Sequence, residues 1–504
     1  MSWYRKSRFN KTLQLNNNPS IDNTGQQMGK TIAENEQIFK NRFHNCSDIT
    51  YREIMAHGET NLLLIYVDGM INADIFISNV LQPFIYDGLP QGLGTIDSVA
   101  QMCEQERVSV LPVKKLSNVE DVVDHILQGN VALMANGENI ALLADVSKFE
   151  TRSVQEPMNE AAIRGSKEGF TEVLRVNTTM LRRILVTPKL KFETLKIGKV
   201  TQTDVAVTYL EGYVSKTTLN EVRKRINRIQ TDGIFDSGYI EEFIEDTHLS
   251  PFPQILVTER PDNVASELLR GKVAILCNGS PNALIVPMTF WEGLQAPDDN
   301  YERMLFVSFV RWIRYVFAAF SVLLPSIYVA LTNFNPELVP QVLMLSISTL
   351  REMAPFPTVI EVFMMEITFE GLREAGIRLP RQIGPLVSIV GALVIGEAAV
   401  MAGIISAPIV IVVSAAGIAS FVIPRYESGY PLRMLRFPLL ILSGIFGIVG
   451  LAIGMVAILI HLIQLSPFGT PYLTPVAPQI THRLKDVLVR SPRKRAIAGP
   501  ENEA

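Results

Sequence analysis

The sequence predicts an α/β cytosolic region with two similar α/β subdomains, followed by an α-helical multi-span membrane domain. Charged residues are spread evenly until about residue 305, whereas long stretches beyond it contain almost none. Glu397 is the only charged residue between 383 and 424, and no Asp, Glu, Lys or Arg lies between 437 and 465. Helices of this length cross a hydrocarbon layer ~30 Å thick. A strand, helix and hairpin pattern also occurs twice before residue 305.

The overall composition argues against several classes of protein. The 504 residues carry a net charge of −4 without a basic stripe, so no nucleic-acid partner is expected. Cys46, Cys103 and Cys277 are widely spaced and form no CxxC motif, which disfavours a disulfide framework or a zinc site. The N-terminal residues are basic but lack the apolar core of a secretory signal. We therefore expect the N-terminal region to be cytosolic.

Two segments of the first 300 residues resemble each other. Residues 61–71 form an apolar run closed by an Asp-Gly turn, which predicts a buried strand, and residues 130–146 predict a β-hairpin. The segment 126–137 aligns with 268–279 at an offset of 142 residues, and both contain a Gly, an apolar run and Asn-Gly. We interpret this as a duplicated α/β unit. Chance similarity between two ordinary helix–hairpin units is the alternative.

The predicted domain boundaries follow from these patterns. Between the repeats, residues 166–185 have apolar positions at helical spacing and predict an amphipathic helix. The predicted order is a disordered polar tail (1–35), α/β subdomain 1 (36–160), a connecting amphipathic helix (161–200), α/β subdomain 2 (201–300), a helical transmembrane domain (301–480) and a basic cytosolic tail (481–504).

The number of membrane crossings is ambiguous in the sequence. Basic residues at both ends of the membrane domain place both ends in the cytosol, which requires an even number of crossings. The apolar runs instead predict five crossings, at 306–331, 341–356, 386–406, 409–423 and 439–465. The odd number conflicts with the required even number, and the conflict arises in residues 337–373 or in a re-entrant segment at 466–478.

Several polar or small residues in the membrane domain are candidates for function. Glu397 lies in mid-span, where an ionisable group is costly and faces protein or water; a hydrogen-bonded packing role is the alternative. Ser414, Gly417 and Ser420 either line a narrow pore or form a packing face. Glu366 and Glu370 share one face of the amphipathic segment 358–373, which predicts a surface helix, a re-entrant element or the lining of a wet cavity. A stripe of glycines predicts close helix packing, namely Gly444, Gly447, Gly450 and Gly454.

Enzymatic chemistry has little support in the sequence. There is no Walker A, GxSxG or HExxH motif, and the six histidines are scattered. We therefore predict no catalytic residues, no metal site and no cofactor.

Specific motifs connect the chain to a known family. The chain resembles the A subunits of the GerA family of spore germinant receptors. The motifs that carry this resemblance are EGFTE (168–172) with Arg182-Arg183, PFPQ (251–254), ERPD (259–262), GKVAI (271–275), PFP (355–357), FEGLREAGIRLP (369–380), IVGALVIGEAA (389–399) and SPFGTPY (466–472).

The resemblance implies a multi-pass subunit of a receptor in the spore inner membrane, a cell membrane. It implies a transporter-like B subunit that senses the nutrient and a lipoprotein C subunit as partners, besides membrane lipid. A subunits are thought to form homo-oligomeric rings that conduct monovalent cations. Three alternatives stay open: a homologue encoded with the SpoVA proteins that amplifies ion release, a non-conducting scaffold, and a secondary transporter.

Overall fold

The computed structural model describes residues 26–56, 60–78, 113–147, 157, 160, 164–352, 354–378 and 384–490. The chain divides into two compact units, 1–150 with 186–188, and 151–185 with 189–504. Parts of three predicted features lie outside the described residues: the polar tail, the end of subdomain 1 and the basic tail.

The first unit is a five-stranded antiparallel sheet with helices packed on it. The strand order is β1-β2-β4-β5-β3. Phe39 from the first helix and Val122 from the third pack with Leu63 and Ile65 of the sheet, and all four are fully buried. Its elements are α1 (Ile32–Arg42), β1 (Ile49–Ala56), β2 (Thr60–Val67), α2 (Ala73–Phe76), β3 (Val113–Leu116), α3 (Val119–Leu127), β4 (Val131–Ala135) and β5 (Ala141–Ala144).

The second unit begins with an α/β subdomain whose sheet has the same order, β6-β7-β9-β10-β8. Helices cover both faces of this sheet, which is why its central strand β9 is buried at every position. Its elements are α4 (Leu174–Ile184), β6 (Leu190–Ile197), β7 (Thr203–Leu210), α5 (Lys216–Ile226), α6 (Ser237–Ile244), β8 (Leu256–Thr258), α7 (Pro261–Leu269), β9 (Val273–Cys277) and β10 (Ala283–Val286).

A buried asparagine confirms the predicted duplication at atomic detail. The side chain of Asn35 accepts the N–H of Gly29 (2.8 Å) and donates to its carbonyl (3.0 Å). Asn177 does the same with Thr171, at 2.8 and 2.6 Å. Asn177 follows Asn35, and Thr171 follows Gly29, by the same 142 residues that separate the two repeated segments. The repeat therefore includes the helix that carries each asparagine, α1 in one copy and α4 in the other.

This correspondence changes the interpretation of the predicted connecting helix. Leu181 of α4 is fully buried in one core of the second sheet. Arg182 is 0% exposed and lies over the Phe192 ring at 5.0 Å. Helix α4 is thus part of the second α/β subdomain and holds the place that α1 holds in the first.

The remainder of the second unit is helical. Two of its helices, α9 and α14, are long and apolar enough to cross a membrane. The predicted crossing at 341–356 corresponds to α10, which has only 11 residues and is exposed at most positions. The elements are α8 (Phe290–Gly293), α9 (Met304–Asn333), α10 (Gln341–Arg351), α11 (Thr358–Arg378), α12 (Gly384–Met401), α13 (Ala407–Phe421), α14 (Tyr426–Gln464) and α15 (Thr481–Leu488).

Helix α14 is broken in the middle and folds back on itself. Gly447 has φ 60° and ψ −139°, which no helical residue adopts. Leu435 and Ile458 pack in one apolar cluster, although a straight helix would separate them by ~34 Å. The 39 residues therefore form an antiparallel hairpin of segments 426–446 and 448–464. The predicted span at 439–465 therefore contains a turn at Gly447 that the uninterrupted apolar run does not reveal.

The segment that follows α14 returns to the α/β subdomain. Phe468 is buried in a core of the second sheet, and its N–H donates to Asp246 (2.9 Å). The hydroxyl of Tyr472 donates to the Pro253 carbonyl (2.8 Å). Residues 466–478 therefore lie against the α/β subdomain, and the re-entrant alternative for them is wrong.

A charged cluster within the helical domain

Helix α11 carries two acidic residues that pair with arginines of α14. Glu366 pairs with Arg436 at 2.5 Å, and both residues are 2% exposed. Glu370 pairs with Arg433 at 2.6 Å, one helical turn closer to the start of α14. Both predicted acidic candidates are therefore ion-paired between helices, with arginines that the sequence analysis did not select as candidates.

Arg373 connects this pair of helices to α13. Its guanidinium lies 3.5 Å from Glu370, donates to the Ser420 hydroxyl (2.6 Å) and stacks over the Phe421 ring (4.6 Å). Ser420 in turn donates to the carbonyl of Gly417 (2.6 Å). Arg373 thereby fixes the C-terminal end of α13 beside α11.

The small residues of α13 pack inside the subunit. A β-carbon on Gly417 would overlap the Phe369 ring of α11. Gly417 and Ser420 are buried, whereas Ser414 is half-buried. The structure therefore joins Glu366, Glu370, Gly417 and Ser420 in one cluster, and Ser414 lies outside it.

Glu361 is a site residue that the sequence interpretation missed. It is 0% exposed, and its Oε2 accepts the N–H of Ser406, just before α13, at 2.8 Å. Helix α11 thus contacts α13 at both ends, through Glu361 at one and Arg373 at the other. The available signal was a third carboxylate within the apolar segment 358–373.

Glu397 lies apart from the charged cluster. It is exposed on α12, as are its neighbours Val394, Ile395 and Ala398. The opposite side of the helix is close-packed, because a β-carbon on Gly396 would lie 3.3 Å from Val410 of α13. The face of α12 that bears Glu397 therefore points away from the rest of this subunit.

The predicted glycine stripe packs the α14 hairpin and its surroundings. A β-carbon on Gly450 would overlap the Leu442 carbonyl, and one on Gly454 would overlap Leu439. Gly444 faces Val359 of α11, and Gly447 faces Phe334 after α9. The stripe lets α14 pack both on itself and on two neighbouring helices.

Both ends of the α14 hairpin are attached to the second α/β subdomain. At its start, Arg425 donates to Glu160 (3.2 Å) and to the carbonyls of Val257 (3.3 Å) and Glu292 (3.2 Å). Near its end, His461 hydrogen-bonds with the Ser250 hydroxyl (2.9 Å). Movement of this subdomain would consequently act on both segments of the hairpin.

A buried lysine reinforces the same junction. Lys272 lies 2.8 Å from Glu267 and 2.7 Å from Glu292. Burial raises the pKa of Glu267, but Arg270 and Lys272 outweigh that effect and hold it at about 2. Among the described residues, no three His, Cys, Asp or Glu side chains are grouped in a way that could hold a metal ion.

Comparison with known proteins identifies the family. Residues 37–501 match the sequence profile of the Bacillus/Clostridium GerA spore germination protein. The chain belongs to the GerA family. The resemblance inferred from its motifs is thereby confirmed.

The GerA-family relatives match nearly the whole chain. The chain is 43% identical to the uncharacterized membrane protein YfkQ of Bacillus subtilis (strain 168), over 94% of this chain and 91% of that protein. The next two relatives are from the same strain. It is 39% identical to spore germination protein A1, over 92% of each chain. It is 38% identical to spore germination protein KA, over 92% of this chain and 85% of that protein.

A solved structure matches the N-terminal part of the chain. It is the N-terminal domain of the A subunit of the Bacillus megaterium spore germinant receptor GerK3. The sequences are 31% identical, the match covers 52% of this chain and 96% of that one, and the TM-score is 0.42.

Proposed function

We propose that this chain is the A subunit of a nutrient germinant receptor in the spore inner membrane, and that copies of it form a ring that conducts monovalent cations. Family membership supports the role in germination. The observation that carries the ion path is the position of Glu397. An exposed carboxylate in an otherwise uncharged apolar helix must face water or another protein chain.

A ring provides both surroundings for Glu397. Lipid cannot cover an ionised carboxylate without a large desolvation cost, and the part of the subunit that the structure describes offers no partner for Glu397. Neighbouring copies around a central aqueous path would surround Glu397 with water and protein, and repeat the carboxylate once per subunit. A ring of carboxylates attracts cations and repels anions.

The helix contacts support a proposal of six membrane passes, an even number as the flanking charges require. Helix α9 leads away from the α/β subdomain, and α11 returns toward it. At one end of α11, Thr358 bonds to Asn333 at the end of α9. Toward the other end, Glu370 pairs with Arg433 near the start of α14. Helices α12 and α13 form the next pair. The two segments of α14 form the last pair, with both outer ends on the α/β subdomain.

The charged cluster supports a path for gating. The α/β subdomain holds the ends of α14, the ion pairs of Glu366 and Glu370 join α14 to α11, and Arg373 joins α11 to α13. We assign Glu366, Glu370, Gly417 and Ser420 to the transmission of movement, and Glu397 with Ser414 to the ion path. A transporter-like B subunit that senses the nutrient and a lipoprotein C subunit would be the partners that start this movement.

Planar-bilayer recording of the purified chain tests the proposal. We expect cation-selective current from the wild type, reduced cation selectivity in Glu397→Gln, and block in Ser414→Leu. The control is Glu374→Gln, an exposed carboxylate of α11 paired with Arg378 at 2.7 Å, which should leave the current unchanged. A chain that stays monomeric in detergent and passes no current would contradict the proposal and favour a scaffold.

A further inference from the structure

Four polar atoms near Glu361 are buried in the helical domain and have no hydrogen-bond partner among the residues that the structure describes. They are Glu361 Oε1, the hydroxyl oxygens of Tyr328 and Ser406, and Arg351 Nε. Each such atom destabilises the fold if it stays unsatisfied. They come from three helices and from the turn between α12 and α13, so the missing hydrogen bonds belong to no single element.

These groups lie close together in space. Glu361 contacts Ser406 directly through the 2.8 Å hydrogen bond. Tyr328 packs in the apolar cluster that contains Val362 of α11 and Ile405, and α10, which carries Arg351, contacts α13. The bond from Thr358 to Asn333 (2.7 Å) holds the start of α11 against the end of α9, where Tyr328 is located. The unsatisfied atoms therefore line one region at the end of the bundle farthest from the α/β subdomain.

The chemistry of this region matches water. It offers an acceptor (a carboxylate oxygen), a donor (a guanidinium N–H) and two hydroxyls that do both. Buried waters typically make about three hydrogen bonds to otherwise unsatisfied polar groups. A metal cation fits less well, because the Arg351 guanidinium would repel it.

We propose that Glu361 anchors an enclosed water site that bridges Tyr328, Arg351 and Ser406 and thereby locks the turn between α12 and α13. Glu361 is ideally placed for this role, since an anion at the first N–H groups of α13 is favoured by the helix dipole. The lock fixes α12, and with it Glu397, relative to α11. This consequence for ion conduction rests on the proposed function, whereas the water site itself does not.

A Tyr328→Phe variant tests the water site by the sign of its effect. If water bridges the hydroxyl, its removal breaks a network, and we expect the Tm of the full chain in detergent to fall by about 2–4 °C. If the hydroxyl is simply unsatisfied, its removal relieves a cost, and Tm rises. The control is Tyr239→Phe on α6, a residue 46% exposed, for which no change is expected. A rise or no change in Tyr328→Phe overturns the proposal.

Hydrogen exchange tests the lock on the turn. We expect Glu361→Ala to speed amide exchange of residues 402–408 by roughly tenfold or more, because a charge-assisted hydrogen bond is lost. Glu361→Gln keeps an acceptor and should restore most of the protection, and Glu374→Ala should leave it at the wild-type value. Equal protection in Glu361→Ala and wild type would overturn the lock. Absence of current in the wild-type bilayer experiment would instead refute only the proposed channel.

Discussion

Substitution of Gly447 by alanine probes the reversal of α14 directly. Its backbone, at φ 60° and ψ −139°, is strained for a residue with a side chain and costs ~1–3 kcal/mol. The new β-carbon would also lie 2.8 Å from the Phe334 ring, and overpacking of this kind adds ~1–3 kcal/mol. We therefore expect Gly447→Ala to destabilise the helical domain by ~2–6 kcal/mol.

Thermal unfolding of the detergent-solubilised chain measures this effect. At ~2–4 °C per kcal/mol for a cooperative unit of this size, Gly447→Ala should lower Tm by at least ~4 °C. Gly371→Ala is the matched control, because that glycine lies in α11 with no atom within 4 Å of an added β-carbon. The control should be neutral or stabilise by ~0.5–1 kcal/mol, as expected for alanine in a helix.

A cross-link separates the hairpin from a straight helix with a strained residue. Cysteines introduced at Leu435 and Ile458 lie beside one apolar cluster of the hairpin and should be joined by a short bifunctional thiol reagent. In a straight helix they would be ~34 Å apart and could not react within one chain. An unchanged Tm for Gly447→Ala together with no intramolecular cross-link would refute the reversal and the count of six passes that depends on it.

Two further predictions concern charges. Burial, with the nearby carboxylates of Glu427 and Glu245, raises the pKa of Glu241 from its ordinary value near 4.5 to about 8. Between these two pH values, Glu241 is protonated in the folded chain and ionised in the unfolded chain. Stability from this group is therefore present at low pH and lost as pH rises through about 8, and Glu241→Gln should flatten the fall of Tm measured between about pH 5 and 9. Arg436→Met leaves Glu366 buried and unpaired and should cost ~3–5 kcal/mol, whereas Arg436→Met combined with Glu366→Leu should recover most of that Tm loss.

The fold class followed from simple patterns, and some of its details did not. The duplication was visible because both copies bury an apolar run beside an Asn-Gly turn, and the two sheets share one strand order. The sequence placed the repeat boundaries too late, because Asn35 and Asn177 are ordinary polar residues whose backbone bonds cannot be recognised from composition. Their helices therefore seemed to belong to a tail and a linker.

The charged cluster shows the same limit in the helical domain. Periodicity correctly placed Glu366 and Glu370 on one face of a helix, but it could not select their partners. Arg433 and Arg436 follow an apolar run and precede another, so they satisfied a positive-inside interpretation equally well. Pairing between elements that are about 65 residues apart depends on how the bundle closes, which no local pattern encodes.

The proposed even number of crossings depends on one residue in the same way. The sequence predicts one span for the uncharged run from 437 to 465, because hydropathy does not show where the chain reverses direction. A turn inside the membrane domain needs no polar residues if neighbouring helices satisfy its backbone groups. Gly447 permits such a turn through its positive φ, and Gly450 and Gly454 let the returning segment approach the Leu442 carbonyl and the Leu439 side chain. The glycines that the sequence assigned to contacts with other helices are thus, for the most part, what allows α14 to reverse. That reversal is what brings Phe468 and Tyr472 back to the α/β subdomain.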